Sequence, residues 1–335
     1  MSIKTIYIIL WGYLLTKSVA FGQLDPMTSQ YFRFPMQVNP ALTGAFGGDL
    51  RASAIHRNQW LGTISPLQTA ALSADLRTNS SFHPGVQVLQ MQTGGGAFRY
   101  TQAYATLAYD GIRFGTMGRH QIRVGFLAGI LNRSIQPGRL QFGDQWNQIT
   151  GFQPGNPTTE VFNRTSTLVP DLGFGLAYFD TKEDGVLQFF GGGSAFHINR
   201  PEDKFIAGSG ISRVPIRWVA HGGFSWRMTP DVYIVPHAVW MRQGTAEVRM
   251  VGMYTMFPVN ESTDFMIGAN FRWRDALVPY AGLTIGNFTM GVSYDIPAMT
   301  TRQAFQNTSA FEITLSYMRK KSFSEGPSYM RCPRF

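Results

Sequence analysis

The stretch F-E-I-T-L-S-Y-M, from Phe311 to Met318, alternates apolar and polar residues. The odd-numbered positions from Phe311 to Tyr317 are apolar, and the even-numbered positions between them are polar. Because successive side chains of a strand point to opposite faces, the pattern predicts a strand between an apolar surface and a polar one. A soluble sandwich could contain the same strand, so the number of similar stretches decides the fold class.

The chain begins like an exported protein. Lys4 precedes the apolar run Thr5–Leu15, and Ala20 and Gly22 are small residues spaced as in a signal-peptidase site. We predict a signal peptide over residues 1–22, with cleavage after Ala20 as the alternative. A retained membrane anchor is another interpretation, but the apolar run is shorter than the ~20 residues of a spanning helix.

The composition after this leader favours a membrane barrel. No later stretch is long and apolar enough to span a bilayer as a helix, which leaves a soluble fold or a β-barrel. Aromatic residues make up 14% of the chain and charged residues only 15%, whereas soluble domains contain about 25% charged residues. The mean hydropathy is close to zero, as expected when apolar and polar faces alternate along strands.

The alternating pattern of residues 311–318 recurs along the chain. About 14 stretches show it, an even number, and most approach the ~9–11 residues with which a strand crosses a bilayer. The sequence therefore predicts an all-β fold, a transmembrane antiparallel β-barrel of about 14 strands over residues 49–318, whose last strand pairs with its first. The predicted strands are residues 51–58, 69–77, 85–92, 99–110, 121–131, 168–179, 186–197, 213–227, 231–241, 245–256, 264–274, 277–285, 287–296 and 308–318.

The connections between these strands alternate in length. The longest, residues 132–167, 198–212 and 297–307, follow the fifth, seventh and thirteenth strands, so they share one end of the barrel. Outer-membrane barrels have long outer loops and short periplasmic turns. The pattern predicts that both termini are periplasmic, with residues 23–48 as an N-terminal periplasmic segment and residues 319–335 as a C-terminal periplasmic tail.

Polar side chains on the predicted inner faces are candidates for the lumen. They could line a water-filled channel or cross-link a narrow lumen, and their spacing selects no ligand. An outer-membrane channel for small or hydrophobic solutes is therefore the alternative function. The candidates are Arg123, Arg217, His221, Glu247, Arg249, Arg272, Arg274 and Glu312, together with Asp75, Arg227 and Asp295.

The sequence indicates no catalytic, cofactor-binding or metal site. The six histidines lack a metal-binding spacing such as H-E-x-x-H, and glycines 94–96 and 191–193 do not precede a helix as a nucleotide-binding loop requires. Cys332 is the single cysteine, which excludes an internal disulfide and a cysteine-rich zinc site. The net charge of +9 is spread along an exported chain, which argues against nucleic-acid binding. We predict no enzymatic activity, no cofactor and no nucleic-acid partner.

The two ends of the chain carry more specific motifs. Asp25-Pro26, Ser29-Gln30-Tyr31, Asn39-Pro40-Ala41 and Arg57-Asn58-Gln59-Trp60 occur in this order near the start, and the chain ends in Cys332-Pro333-Arg334-Phe335. Their order and placement resemble the PorP/SprF family. Chain length, the leader and the strand-rich middle also fit, so the resemblance extends over most of the sequence.

The resemblance implies an outer-membrane protein of the type IX secretion system and its associated gliding machinery in Bacteroidetes. Members of this family work with periplasmic ring proteins and, in some cases, with a peptidoglycan-binding protein. SprF-like members are tied to the secretion or surface attachment of particular large cargo proteins. The resemblance therefore implies a non-enzymatic barrel in outer-membrane lipid, with machinery and a secreted cargo or adhesin as its partners.

The motif residues have two interpretations. They could dock a partner protein, or they could plug or brace the barrel. Cys332 could be a small structural residue, a thiol paired with another chain, or part of a docking peptide. The candidate residues are Asp25, Pro26, Gln30, Tyr31, Asn39, Pro40, Arg57, Gln59, Trp60, Cys332, Pro333, Arg334 and Phe335.

Overall fold

The fold was analysed in a computed structural model of the chain. It describes residues 25–63, 65–159, 164–181, 186–203, 212–229, 232–260, 262–298 and 309–319. The predicted signal peptide and all but the first residue of the predicted C-terminal tail lie outside these ranges. No helix among the described residues is long and apolar enough to cross a membrane.

Fourteen long antiparallel strands close into one barrel within the described residues, and each strand pairs with its neighbours in sequence. This confirms the predicted fold class and strand count. The strands are β1 Leu50–Gln59, β2 Leu67–Leu76, β3 Phe82–Thr93, β4 Phe98–Phe114, β5 His120–Ile135, β6 Ser166–Asp180, β7 Leu187–Phe196, β8 Arg217–Arg227, β9 Tyr233–Gln243, β10 Ala246–Asn260, β11 Thr263–Arg272, β12 Ala276–Ile285, β13 Phe288–Pro297 and β14 Ala310–Arg319.

Strand β14 closes the barrel by pairing with β1, as predicted. The register runs from Leu50 opposite Arg319 to Gln59 opposite Ala310. Beyond the last pair, the Arg319 guanidinium donates to the Asp49 carboxylate at 2.9 Å and lowers the pKa of that carboxyl. A closed sheet leaves no edge whose backbone groups would meet lipid.

The two faces of each strand separate as the alternation predicts. On β14, Phe311 and Leu315 are 39% and 45% exposed on the outer surface, whereas Glu312 and Thr314 point into the lumen and are 0% and 2% exposed. Apolar side chains therefore cover the lipid-facing surface, and most buried polar ones face inward.

The barrel has two distinct ends. The long connections 136–165, 197–216 and 298–309 all follow odd-numbered strands, and we call their end the loop end. β1 begins and β14 finishes at the opposite end, which we call the terminal end. Two short ribbons lie in the long connections, Trp146–Asn147 with Gly151–Phe152 and Glu202–Asp203 with Ser212–Arg213.

Residues 25–48, which we call the lumen segment, fill the inside of the barrel. The segment forms three 3-10 turns, Tyr31–Arg33, Pro35–Gln37 and Pro40–Leu42. Proline fixes the backbone at the start of the last two turns, and the Asn39 side chain accepts a hydrogen bond from the Ala41 amide at 2.9 Å. Phe32, Phe34 and Met36 are at most 2% exposed, and burying each such side chain contributes about 1.5–3 kcal/mol.

The predicted periplasmic position of this segment is therefore wrong for residues 25–48. Turn residues and little strand alternation predicted a periplasmic segment that leads into the barrel, whereas the structure has the alternative arrangement, in which the motif residues brace the barrel from inside. The barrel wall makes room for them with glycine, since a Cβ added to Gly125 would overlap the Ala41 backbone and one added to Gly175 would overlap the Asn39 side chain. The segment begins near the loop end, where Asp25 meets Gln243, and leaves at the terminal end through Asp49.

Candidate functional site

The lumen is the candidate site, because it collects most of the buried polar groups and the motif residues of the N-terminal region. At the closing seam, Arg57 of β1 faces Glu312 of β14 in the register of the sheet. Its guanidinium pairs with Asp295 at 2.6 Å and with Glu312 at 3.2 Å. Glu312 accepts hydrogen bonds from the backbone amides of Ser29 and Gln30 at 2.7 and 2.8 Å.

This seam cluster, which consists of Arg57, Asp295, Glu312, Ser29 and Gln30, joins the lumen segment to both closing strands. Arg57 and Glu312 are 0% exposed. Arg272 adds a second guanidinium to Asp295, and the Ser29 hydroxyl donates to the same carboxylate at 2.8 Å. Removing one partner of such a buried ion pair would leave the other charge buried and unpaired, which is costly. The pairs therefore fix the positions of these groups.

A second group, the loop-end cluster, holds the start of the lumen segment. Asp25 accepts a hydrogen bond from the Tyr100 hydroxyl at 2.6 Å and lies 2.6 Å from His197 Nε2. His197 Nδ1 lies 2.7 Å from Asp171, so the ring bridges two carboxylates. Arg217 Nη1 lies 3.4 Å from Asp25. The cluster ties the segment to β4, β6 and β8, and to His197, which directly follows β7.

Towards the terminal end, two arginines hold the end of the segment. Arg123 donates to the Ala41 carbonyl at 3.0 Å and to the Thr43 carbonyl at 2.6 Å. Arg51 pairs with Asp75 at 2.7 Å, and the same carboxylate oxygen accepts from the Gly44 amide at 2.7 Å. These bonds satisfy turn backbone groups that would otherwise be buried without partners.

The middle of the segment contacts the opposite wall. The Tyr31 hydroxyl lies 2.5 Å from His237 Nδ1. The side-chain amide nitrogen of Asn39 donates to the Leu176 carbonyl at 2.8 Å and lies 3.1 Å from His221 Nε2. Phe32 packs against Tyr254 with ring centroids 5.4 Å apart. Segment and wall thus bury one another around the whole circumference.

Arg33 is the exception among the buried charges. It is 8% exposed, its Nη2 reaches only the Met266 sulfur at 3.5 Å, and its Nε has no hydrogen-bond partner. Its Cζ lies 5.8 Å from the centre of the Phe32 ring. No described carboxylate pairs with it, so Arg33 carries the cost of burial without the compensation that Arg57 has.

Most predicted motif residues are brought together inside the barrel. Pro26 accepts from the Gln37 side chain, and Pro40 starts the turn that fits against the wall glycines. Gln59 and Trp60 lie apart from the others, at the loop end of β1, where Trp60 packs against a cluster that contains Leu67 and Leu131. Cys332, Pro333, Arg334 and Phe335 lie outside the described residues.

Three predicted lumen residues are wrong. Glu247 and Arg249 lie on the outer face of β10, where they pair with each other at 2.9 Å, and Arg274 is exposed in the turn after β11. Both faces of β10 carry apolar residues, because its inner face packs Met250 and Tyr254 against the lumen segment. Polarity therefore could not identify the inner face there.

Asp171 and His197 were absent from the predicted site. In the sequence each is one polar residue in an apolar strand region, with no motif around it. Asp171 could have been predicted to face the lumen, because it occupies one of the alternate positions of β6 whose side chains point inward. Among the described residues, no group of three or more His, Cys, Asp or Glu side chains could hold a metal ion.

Comparison with known proteins identifies the family of the chain. A model of the family described as "Type IX secretion system membrane protein PorP/SprF" matches residues 20–317. The protein belongs to the PorP/SprF family. It is an integral outer-membrane protein of the type IX secretion family, as the sequence predicted. The match ends before residue 318, so the predicted C-terminal signature, residues 332–335, lies outside it.

Solved structures show the same fold class for this PorP/SprF barrel. The toluene transporter TbuX of Ralstonia pickettii is 10% identical, covers 87% of this chain and 94% of its own, and superimposes with a TM-score of 0.50. A deletion mutant of the monoaromatic hydrocarbon channel TodX is 11% identical, with coverages of 87% and 94% and a TM-score of 0.51. At such identities the likeness concerns the fold alone. None of the curated proteins matches the sequence.

Proposed function

We propose that this protein is a non-enzymatic barrel of the type IX secretion machinery that supports secretion or surface attachment of cargo proteins. In this proposal it acts through contacts with periplasmic ring components and with cargo. The family match carries the proposal. The filled lumen agrees with it, because a barrel blocked by its own chain acts through its surfaces.

The alternative, a channel for small or hydrophobic solutes, has less support. A channel needs a continuous path, whereas the lumen segment is bonded to the wall at the loop end, at the seam and at the terminal end. The inward charges proposed to line a channel, such as Arg123 and Glu312, are 0% exposed and bonded to the segment. The polar inner face thus serves to hold the segment.

The proposed orientation places the loop end at the cell surface and the terminal end in the periplasm. Outer-membrane barrels have long outer loops and short periplasmic turns, and the long connections 136–165 and 197–216 share the loop end. In this orientation β14 descends to the periplasm, so the tail that follows Arg319 starts on the side where ring components and a peptidoglycan-binding partner would dock.

Cysteine accessibility tests the orientation. In a Cys332→Ser background, Ile149→Cys places a thiol at a loop-end site that is 93% exposed, and Ser80→Cys places one in the exposed turn between β2 and β3 at the terminal end. A membrane-impermeant maleimide added to intact cells should label residue 149 and spare residue 80 until the outer membrane is permeabilised. The reverse labelling would contradict the orientation.

The function is tested in a strain that lacks the gene. We expect full-length protein to restore cargo on the cell surface, and affinity purification in detergent to recover ring proteins or cargo. A chain ending at Arg319 should assemble as a barrel yet lose partner recovery, while Glu247→Gln, a change on the outer surface, should keep it. Normal secretion in the deletion strain, together with no recovered partner, would refute the proposal.

A further inference from the structure

The outer surface of β1–β5 ends in an unusual polar band at the loop end. The last outward side chains of these strands are Asn58, Gln68, Gln92, Arg99 and Ser134, and the outward side chains before them are His56, Ala70, Gln90, Thr101 and Asn132. Within each set, neighbours are direct cross-strand partners. Nine of these ten side chains form hydrogen bonds readily.

The neighbouring wall, which runs from β11 to β14, lacks this band. The last outward residues of β11, β12, β13 and β14 before the loop end are Phe271, Leu277, Ile296 and Phe311. Each of them is more than a third exposed, so apolar surface reaches the rim there. The polar band therefore does not continue evenly around the barrel. Outward charged residues recur near the loop end of β9 and β10, but there Glu247 and Arg249 pair with each other.

Two arginines converge beside the band. A methyl group placed on Gly96 would lie 2.9 Å from Arg139 Nη1 and 3.8 Å from Arg99 Nη2, so both guanidinium groups face the same small space. Arg99 Nε is buried without a hydrogen-bond partner. Arg139 Nη1 donates to the Gly95 carbonyl at 2.9 Å, but neither arginine forms an ion pair within the described chain. Two neighbouring guanidinium groups without a carboxylate match a phosphate, which accepts several hydrogen bonds from such groups.

Directly beside the polar band, towards the terminal end, the outer wall is recessed. Two adjoining recesses of about 410 Å³ each share Ala54, Leu72, Val88 and Leu315 in their lining. His56 and Gln90 lie at the edge nearest the band. Small alanines between larger apolar residues open this surface, and an acyl chain would fill it with apolar contacts.

We propose that the outer face of β1–β5 binds a phosphorylated glycolipid. Its phosphate lies between Arg99 and Arg139, and an acyl chain occupies the recess. Its sugar hydroxyls bond the Gln90 side chain and the side-chain oxygen of Gln92, whose Nε2 donates to Gln68 at 2.8 Å. The uncharged hydrogen-bonding groups between the arginines and the recess favour a sugar headgroup over a simple phospholipid. The inference rests on the proposed orientation, which places the loop end in the outer leaflet, and it does not depend on the secretion partners.

Native mass spectrometry of the full-length barrel in detergent tests this site. The probes are bisphosphorylated lipid A, lipid A without phosphates, and phosphatidylglycerol, with inorganic phosphate as competitor. We expect tight binding of the first probe only, and no displacement by inorganic phosphate. The double variant Arg99→Gln/Arg139→Gln should weaken its binding about tenfold or more, and Ala54→Phe should weaken it by filling the recess.

The matched control is Arg242→Gln, which removes an outward, exposed arginine near the loop end of β9 and should leave binding unchanged. Heat-dependent mobility of the barrel in SDS gels reports that each variant is folded. Equal loss in the control, equal binding of phosphatidylglycerol, or no binding would overturn the proposal. The proposal would also be overturned if the Ala54→Phe variant bound lipid as before but lost a membrane protein that copurifies with the unsubstituted barrel. That result would show that this face binds a protein.

Discussion

Replacing Glu312 by Gln removes one charge from the seam cluster without changing the size of the side chain. Glu312 accepts two backbone hydrogen bonds from the lumen segment, at 2.7 and 2.8 Å, and pairs with Arg57 at 3.2 Å. Glutamine has a single acceptor oxygen, and its NH₂ group would face another donor. One of the two segment amides, at Ser29 or Gln30, therefore loses its partner.

The free-energy cost of the Glu312→Gln substitution follows from these contacts. Breaking a buried ion pair costs about 3–5 kcal/mol when the remaining charge is left alone. Here Asp295 still lies 2.6 Å from Arg57, so the cost should fall at the low end, about 3 kcal/mol. Because about 1.4 kcal/mol corresponds to a factor of ten, the segment should detach about a hundredfold more often.

Hydrogen exchange at the Ser29 and Gln30 amides measures this opening directly. We expect their protection in Glu312→Gln to fall about a hundredfold, while amides in β5 keep theirs. Glu247→Gln is the matched control, because Glu247 lies outside the barrel and pairs only on the surface, so it should change nothing. Unchanged protection at residues 29 and 30 would refute the view that Glu312 anchors the segment.

Three further predictions concern the segment. A chain lacking residues 25–45 should conduct ions in planar bilayers, whereas the full chain should not, and equal conductance would contradict the plug. Arg33→Met should leave the free energy of unfolding unchanged or raise it by about 1 kcal/mol, while Arg57→Met should lower it by about 3–5 kcal/mol, as urea titrations in lipid vesicles would measure. Gly175→Val should expose the segment to protease, because the new side chain overlaps Asn39, and an undigested segment would argue against this fit.

The strands were predictable because the environments of their two faces differ. Lipid on one side and a polar interior on the other impose the period of two that Phe311–Met318 shows, and loop lengths then fixed which connections share an end. Glu312 was correctly predicted to face inward, because it interrupts apolar residues on both sides. Each of these inferences uses neighbours in the chain.

The interior position of the lumen segment could be predicted only as one of two alternatives, because its partners are far away in sequence. Ser29 meets Glu312, and Asp25 meets Gln243, so nothing near residues 25–48 signals an interior position. The same omission caused the errors at Glu247 and Arg249. Without the segment, an apolar inner face of β10 has no reason to exist, so the polar face was taken as the inner one.

The filled lumen limits where this protein can act. Apart from Arg33, the buried charges described above, among them Arg57, Arg123 and Glu312, have partners in the segment or the wall, so few remain for a passing solute. Release of the segment would have to break the loop-end, seam and terminal-end contacts together, at a cost that a small ligand could not supply through one site. Contacts with other molecules therefore fall to the loop end, the terminal end and the outer wall. On that wall, the polar band of β1–β5 is the surface that we propose binds a glycolipid.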